Sequence, residues 1–222
     1  SLARGFELSS NTVMVQAVYE AYKNNPSKFV NHLNDFGLNK PLGLSIKGEG
    51  KPYIPQPKDK HWSNISLPWM AFGYGVSITP MQTLAFYNAV ANNGEMVKPQ
   101  FVSEIKEWNR TIKKYEKEVL NPRICSHETV LKLRAVLENV VKKGTGSKLY
   151  SKDFSMAGKT GTAQVDYGKT GRSGMYYASS FVGYFPADQP KYSCIVVVHR
   201  PNTALNNFYG ADVAGPVFKR IA

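Results

Sequence analysis

The hydrophobic period of this chain changes near residue 155, and that change narrows the folds open to it. Several stretches ahead of that point carry apolar residues every three or four positions, as along one stripe of a helix; beyond it they alternate or run together. Three strands are expected at about 155–165, 177–186 and 191–199, the last built on Ile195-Val196-Val197-Val198. Asp188-Gln189-Pro190 offers turn chemistry between the second and third, which predicts a tight antiparallel hairpin. A closing helix from about Ala211 is interrupted by Pro216 and stops at Ala222. Helices, then an antiparallel sheet, then a helix to cover it, describe an α+β layered fold.

Upstream, helix ends are marked by their caps. Ser10 or Asn11 can cap a helix with Met14, Ala17, Val18, Ala21 and Tyr22 on one face, ended by Pro26. A short second helix carries Phe29, Val30, Leu33 and Phe36 and stops at Gly37. Residues 40–69 are rich in Pro, Gly and Lys and hold no period, which predicts an ordered surface excursion pinned by Ile54, Trp62 and Trp69. Thr79-Pro80-Met81-Gln82 carries the elements of a capping box, and its helix runs through Leu84, Phe86, Tyr87 and Val90 to Gly94. Residues 97–120 alternate and carry charge, as a protruding hairpin would. Ser126 opens a helix with Val130, Leu133, Leu137, Val140 and Val141 on one face, stopped by Gly144.

The 222 residues suffice for one substantial domain over 1–222. With 28 basic and 16 acidic residues the net charge is +12, which favours anionic partners, but no zinc-finger spacing or RNA-binding aromatic signature accompanies it. A solvated basic surface is therefore expected rather than a nucleic-acid site. His32, His61, His127 and His199 are isolated from one another, so neither a metal site nor a cofactor is expected. Cys125 and Cys194 form no C-x-x-C; free thiols and a pair both stay open. No uncharged apolar run approaches the roughly 20 residues that cross a bilayer. The abrupt opening on Ser1-Leu2-Ala3-Arg4 reads as a chain cut from something longer.

Chemistry concentrates in Gly158-Lys159-Thr160-Gly161-Thr162. A phosphate-binding loop would need a glycine where Asp153 stands and a helix where Ala163-Gln164-Val165 reads as strand, so that reading fails. The alternative is the Lys-Thr-Gly strand of serine acyl transferases. An edge strand can pair with an extended peptide, and Gly161 lets backbone come close. The Thr162 N–H can face a developing oxyanion, Lys159 supplies positive potential, and the hydroxyls of Thr160 and Thr162 can hold a carboxylate. Roughly 150 residues earlier, Ser9-Ser10-Asn11 has the S-x-N form that accompanies such a strand. Its bland reading is helix capping alone.

Three further segments make the likeness specific: Gly73-Tyr74-Gly75-Val76-Ser77-Ile78-Thr79-Pro80-Met81-Gln82, Lys143-Gly144-Thr145-Gly146 ahead of the 157–164 strand, and Phe181-Val182-Gly183-Tyr184-Phe185-Pro186. In this order, from about residue 9 to the end, they resemble the transpeptidase domain of class B penicillin-binding proteins, and the S-x-N form is most like the division-type subgroup. The resemblance implies a penicillin-binding/β-lactamase-like fold, an antiparallel sheet flanked by helices, truncated here on its N-terminal side. It implies D,D-transpeptidation, in which a serine takes the acyl group of a D-Ala-D-Ala stem peptide and passes it to an amine. By family position Ser9 shuttles a proton to the leaving amine, Asn11 holds the peptide, Lys159 tunes the hydroxyl, and Thr160, Gly161 and Thr162 bind substrate. Peptidoglycan stem peptides, β-lactams and other division or wall-synthesis proteins are the implied partners. The implied location is the cell envelope, with the parent anchored in the cytoplasmic membrane and this domain on the periplasmic or extracytoplasmic side.

The family's nucleophile lies in S-x-x-K, upstream of S-x-N. The one S-x-x-K match, Ser103-Glu104-Ile105-Lys106, follows S-x-N and falls in the alternating arm, where Ser103 and Lys106 would point to opposite faces. It reads as coincidence, and residues 1–222 alone are expected to be inactive. Two rivals remain: a D,D-carboxypeptidase, and a β-lactam sensor or binding module of the same fold. A class A β-lactamase is disfavoured, since no E-x-x-L-N-type loop is present.

Overall fold

The computed structural model describes residues 1–165, 176–202 and 207–222. In chain order it contains α1 (Leu2–Glu7), α2 (Asn11–Tyr22), α3 (Pro26–Asp35), α4 (Ser66–Met70) and α5 (Pro80–Ala91). Short strands β1 (Met96–Val97), β2 (Glu104–Glu107), β3 (Arg110–Lys114) and β4 (Val119–Asn121) follow, then α6 (His127–Lys143). The last third holds β5 (Ala157–Val165), β6 (Tyr176–Phe185), β7 (Tyr192–His199), α7 (Gly210–Val213) and α8 (Gly215–Ile221). This is an α+β fold of helices and antiparallel sheet. The chain forms two compact units, one of residues 1–14 and 128–222, the other of residues 15–127.

In the first unit the sheet order is β5-β6-β7, antiparallel throughout. The expected strands therefore form within two residues of their sequence bounds. The connection after β6 is longer than the tight turn expected, running over 186–191, with Lys191 N–H bonded to the Phe185 carbonyl at 3.2 Å. Thr160, Phe181 and Val196 share one register row, which aims the fully buried Phe181 into the helices. Its ring meets Phe218 of α8 edge-on at 4.7 Å, and Phe185 meets the same ring at 5.6 Å. Val141, Leu149, Met156 and Ala214 complete this core. Each of the larger side chains among them, removed from water, contributes about 1.5–3 kcal/mol. Gly210, at the start of α7, lies so close to the sheet that a Cβ there would come within 2.3 Å of the Ser180 carbonyl and 2.6 Å of the Gly161 carbonyl.

The second unit is built around Val30, Leu38, Ile54 and Met70, with Phe29, Leu33, Phe36, Trp62, Val76 and Ile78 packed on them. The capping box of α5 is complete: Gln82 N–H donates to Thr79 Oγ1 at 3.1 Å, and Thr79 N–H donates to Gln82 Oε1 at 3.0 Å. Gln82 is fully buried, and its amide also donates to the Lys40 carbonyl at 2.8 Å, which fastens the start of the 40–69 excursion to α5. Two of the three residues expected to pin that excursion do so; Trp69 instead lies on the surface, because α4 turns Leu67 and Met70 inward. Pro68 does not prevent this helix, since it sits within the first turn, where its missing N–H has no intrahelical partner to lose. The β2–β3 hairpin is exposed along its whole length, with Trp108 at its turn. Both cysteine thiols are free.

Candidate active site

The S-x-N segment begins from a helix that sequence pattern did not reveal. Ser1 caps α1, its hydroxyl accepting from Arg4 N–H at 3.4 Å. A Cβ on Gly5 would strike Val13 at 2.3 Å, so a glycine is what lets α1 lie against α2. Between the helices Ser9 adopts a left-handed φ of 54°, its N–H donating to the Phe6 carbonyl at 3.0 Å while Ser10 N–H reaches the Gly5 carbonyl at 2.8 Å. Such a backbone is uncommon outside glycine and is held here by those two bonds. Ser10 takes the capping role, its hydroxyl accepting from Val13 N–H at 3.4 Å. Capping thus falls to Ser10, and the Ser9 side chain is free to leave the helix end. Asn11 is the first residue of α2 and is exposed.

Across from this turn runs β5. Lys159 Nζ donates to Ser9 Oγ at 2.8 Å and to the Thr160 carbonyl at 3.2 Å, with Thr160 Oγ1 at 3.5 Å. The ammonium also lies 5.8 Å from the centre of the Phe6 ring. Burial lowers its pKa to about 8, so at neutral pH it remains charged. Ser9 Oγ is then an acceptor toward Lys159, and its own proton is left to point elsewhere.

The two threonines of the strand are each engaged by the protein. Thr160 Oγ1 lies 2.8 Å from Thr145 Oγ1, and Thr162 Oγ1 accepts from Gly210 N–H at 3.1 Å. Thr145 is a site neighbour that sequence reasoning did not single out, although the glycines at 144 and 146 around it mark a tightly packed turn. Gly161 has a reason of its own to lack a side chain: a Cβ would come within 2.5 Å of Ser180 Oγ, its cross-strand partner. Among the described residues β5 pairs only with β6, so its other edge presents unpaired backbone groups beside Lys159. Of the six residues singled out by sequence, five therefore line one strand edge and the turn facing it, and Asn11 opens the helix immediately after that turn.

The model of the penicillin-binding protein transpeptidase domain matches residues 1–222. This chain belongs to the penicillin-binding protein transpeptidase family. Stage V sporulation protein D of Bacillus subtilis is 32% identical over 200 residues, covering 87% of the chain and 29% of that protein. Peptidoglycan D,D-transpeptidase FtsI of Escherichia coli is 31% identical over 199 residues, covering 88% of the chain and 31% of FtsI. The solved structure of penicillin-binding protein 3 from Mycobacterium tuberculosis in complex with aztreonam superposes with a TM-score of 0.81 at 27% identity, over 99% of this chain and 49% of that one. The class B membership expected from the motifs agrees with these relatives, and the fold is that of their transpeptidase domains. The chain spans about a third of the length of the curated relatives it matches. The S-x-x-K at Ser103–Lys106 lies at and within the exposed β2 strand, where Lys106 Nζ pairs with Glu104 at 2.7 Å.

Proposed function

We propose that this domain serves a peptidoglycan D,D-transpeptidase in which the nucleophilic serine comes from an S-x-x-K segment ahead of residue 1. The observation that carries the reading is the 2.8 Å contact between Lys159 Nζ and Ser9 Oγ beside an open strand edge. A stem peptide ending in D-Ala-D-Ala would lie extended along β5, in the manner of an added strand. The nucleophile's oxygen, passing its proton to the lysine of its own S-x-x-K, bonds to the penultimate carbonyl carbon, and the C–N bond to the terminal D-Ala breaks. Ser9 would give its proton to that departing nitrogen, with Lys159 resupplying one from its ammonium. The departing residue's carboxylate would meet Thr160 and Thr162, and Asn11 would hold the stem peptide. An amine of a neighbouring strand then displaces the serine oxygen, closing the cross-link. A β-lactam would acylate the same serine by opening its ring amide.

FtsI among the relatives and the S-x-N form favour a division-type role. Among the described residues no helix is long and apolar enough to cross a membrane; the anchoring of the parent protein in the cell envelope is proposed from the family likeness alone.

Labelling with a fluorescent penicillin tests the reading. A longer chain carrying S-x-x-K ahead of residue 1 should label stoichiometrically. Residues 1–222 alone should not, and Ser9→Ala or Lys159→Ala in the longer chain should slow labelling by about 10²–10⁴-fold. Stoichiometric labelling of residues 1–222 would place the nucleophile inside this segment and overturn the assignment. A longer chain that fails to label would sink the function itself.

A further inference from the structure

Glu7 is a carboxylate only 3% exposed, two residues before Ser9, in a position to which neither the motifs nor the reaction assigns a part. We propose that Glu7 is a positioning residue, which fixes the Ser9 turn and the Thr145 turn to a single point and thereby sets the width of the groove in front of β5. The inference rests on the role given to Ser9 above.

The geometry is a clamp with two jaws. On one side the Glu7 carboxylate bonds Arg4 Nη1 at 2.9 Å and lies 3.8 Å from Lys143 Nζ, the last residue of α6. Arg4 Nη1 also donates to the Lys143 carbonyl at 2.9 Å, so the ion pair ties α1 to the C-terminal end of α6. Cations at that end are favoured by the unpaired carbonyls of the last turn. On the other side the Glu7 backbone carbonyl accepts from Thr145 N–H at 3.0 Å. The approach is so close that a Cβ on Gly144 would come within 2.3 Å of the same oxygen.

From this point two polar arms reach β5. Thr145 extends to the Thr160 hydroxyl at 2.8 Å, and Ser9 extends to the Lys159 ammonium at 2.8 Å. The groups facing the Glu7 carboxylate are Arg4 from its own helix and Asn139 and Lys143 from α6; together they hold it below the usual carboxylate range, the Arg4 hydrogen bond contributing most. A buried carboxylate with these partners stays ionised and holds its place. Loss of the carboxylate frees the end of α1 to move against α6, and a displacement near 1 Å at a reacting group can lower a rate by about 10²-fold.

Glu7→Gln and Arg4→Met test this in the longer chain; Arg4 is 47% exposed, so its replacement opens no buried hole. Both should slow penicillin acylation by about 10–100-fold through the acylation step rather than through initial binding. Both should also move the alkaline limb of the acylation profile upward, as Lys159 separates from Ser9 and meets water. The same movement is read without any activity, by NMR titration of the Lys159 methylene signals in residues 1–222, where wild type should titrate about 8 and the variants higher. Unchanged acylation rates and an unchanged Lys159 titration would overturn the inference. Should the longer wild-type chain not acylate at all, the proposed function falls while the Lys159 titration still decides the part played by Glu7.

Discussion

The Lys159 ammonium and the Ser9 hydroxyl, 150 residues apart in sequence, are joined by a 2.8 Å hydrogen bond. Among the described residues no carboxylate shares that contact, and burial holds the lysine at a pKa of about 8. An ammonium kept in this way gives up a proton more readily than a surface lysine, which suits a group that must resupply a neighbouring hydroxyl.

The first prediction concerns pH and stability. Lys159 has an ordinary pKa of 10.5 and a folded value of about 8, so between those limits the unfolded chain binds the extra proton. Stability therefore rises with pH across that window, and the penalty of the buried charge is fully present below about 8. Urea denaturation at pH 7 and at pH 9.5 should show the wild type gaining stability relative to Lys159→Met. Equal pH dependence in the two proteins would refute the burial argument.

How much of this was legible beforehand varies with the physics involved. The strands at 157–165, 176–185 and 192–199 follow from alternation and β-branched runs, which act over adjacent residues. The capping box at Thr79 and Gln82 is local in the same sense. Helix α1 was hidden because it is six residues long with Gly5 in its interior, and α4 because Pro68 reads as a breaker. The Trp69 expectation failed since side-chain direction within α4 depends on a helix the pattern did not show. Thr145 stood in a recognised segment but without a role, and Glu7 was silent, because their partners lie far along the chain and only packing brings them to β5.

A second prediction follows from the approach of α7 to the sheet. Gly210→Ala would push a methyl group toward the carbonyls of Ser180 and Gly161, which belong to two strands that cannot yield separately. Such overpacking should cost about 1–3 kcal/mol in a denaturant titration. A neutral result would mean that α7 is free to lift from β5.

Third, the two halves of the α5 capping box should differ in their effect. Thr79→Ala removes one cap and should cost about 1 kcal/mol. Gln82→Leu leaves Thr79 N–H without its partner and also strips the Lys40 carbonyl of a donor, which should cost more, on the order of 2–3 kcal/mol. Thermal unfolding of both variants checks the ranking.

Fourth, Ser103 should be dispensable. It precedes an exposed strand whose Lys106 is paired with Glu104, so Ser103→Ala in the longer chain should leave penicillin labelling within twofold of wild type. A loss comparable to that of Ser9→Ala would reinstate this motif as the nucleophile.

Thr162 spends one lone pair on the amide of Gly210. Its hydroxyl keeps a proton and a second lone pair, so this corner of the strand can still both donate and accept. Helix α7, distant from β5 along the chain, thus occupies one side of that threonine while leaving the group two-handed.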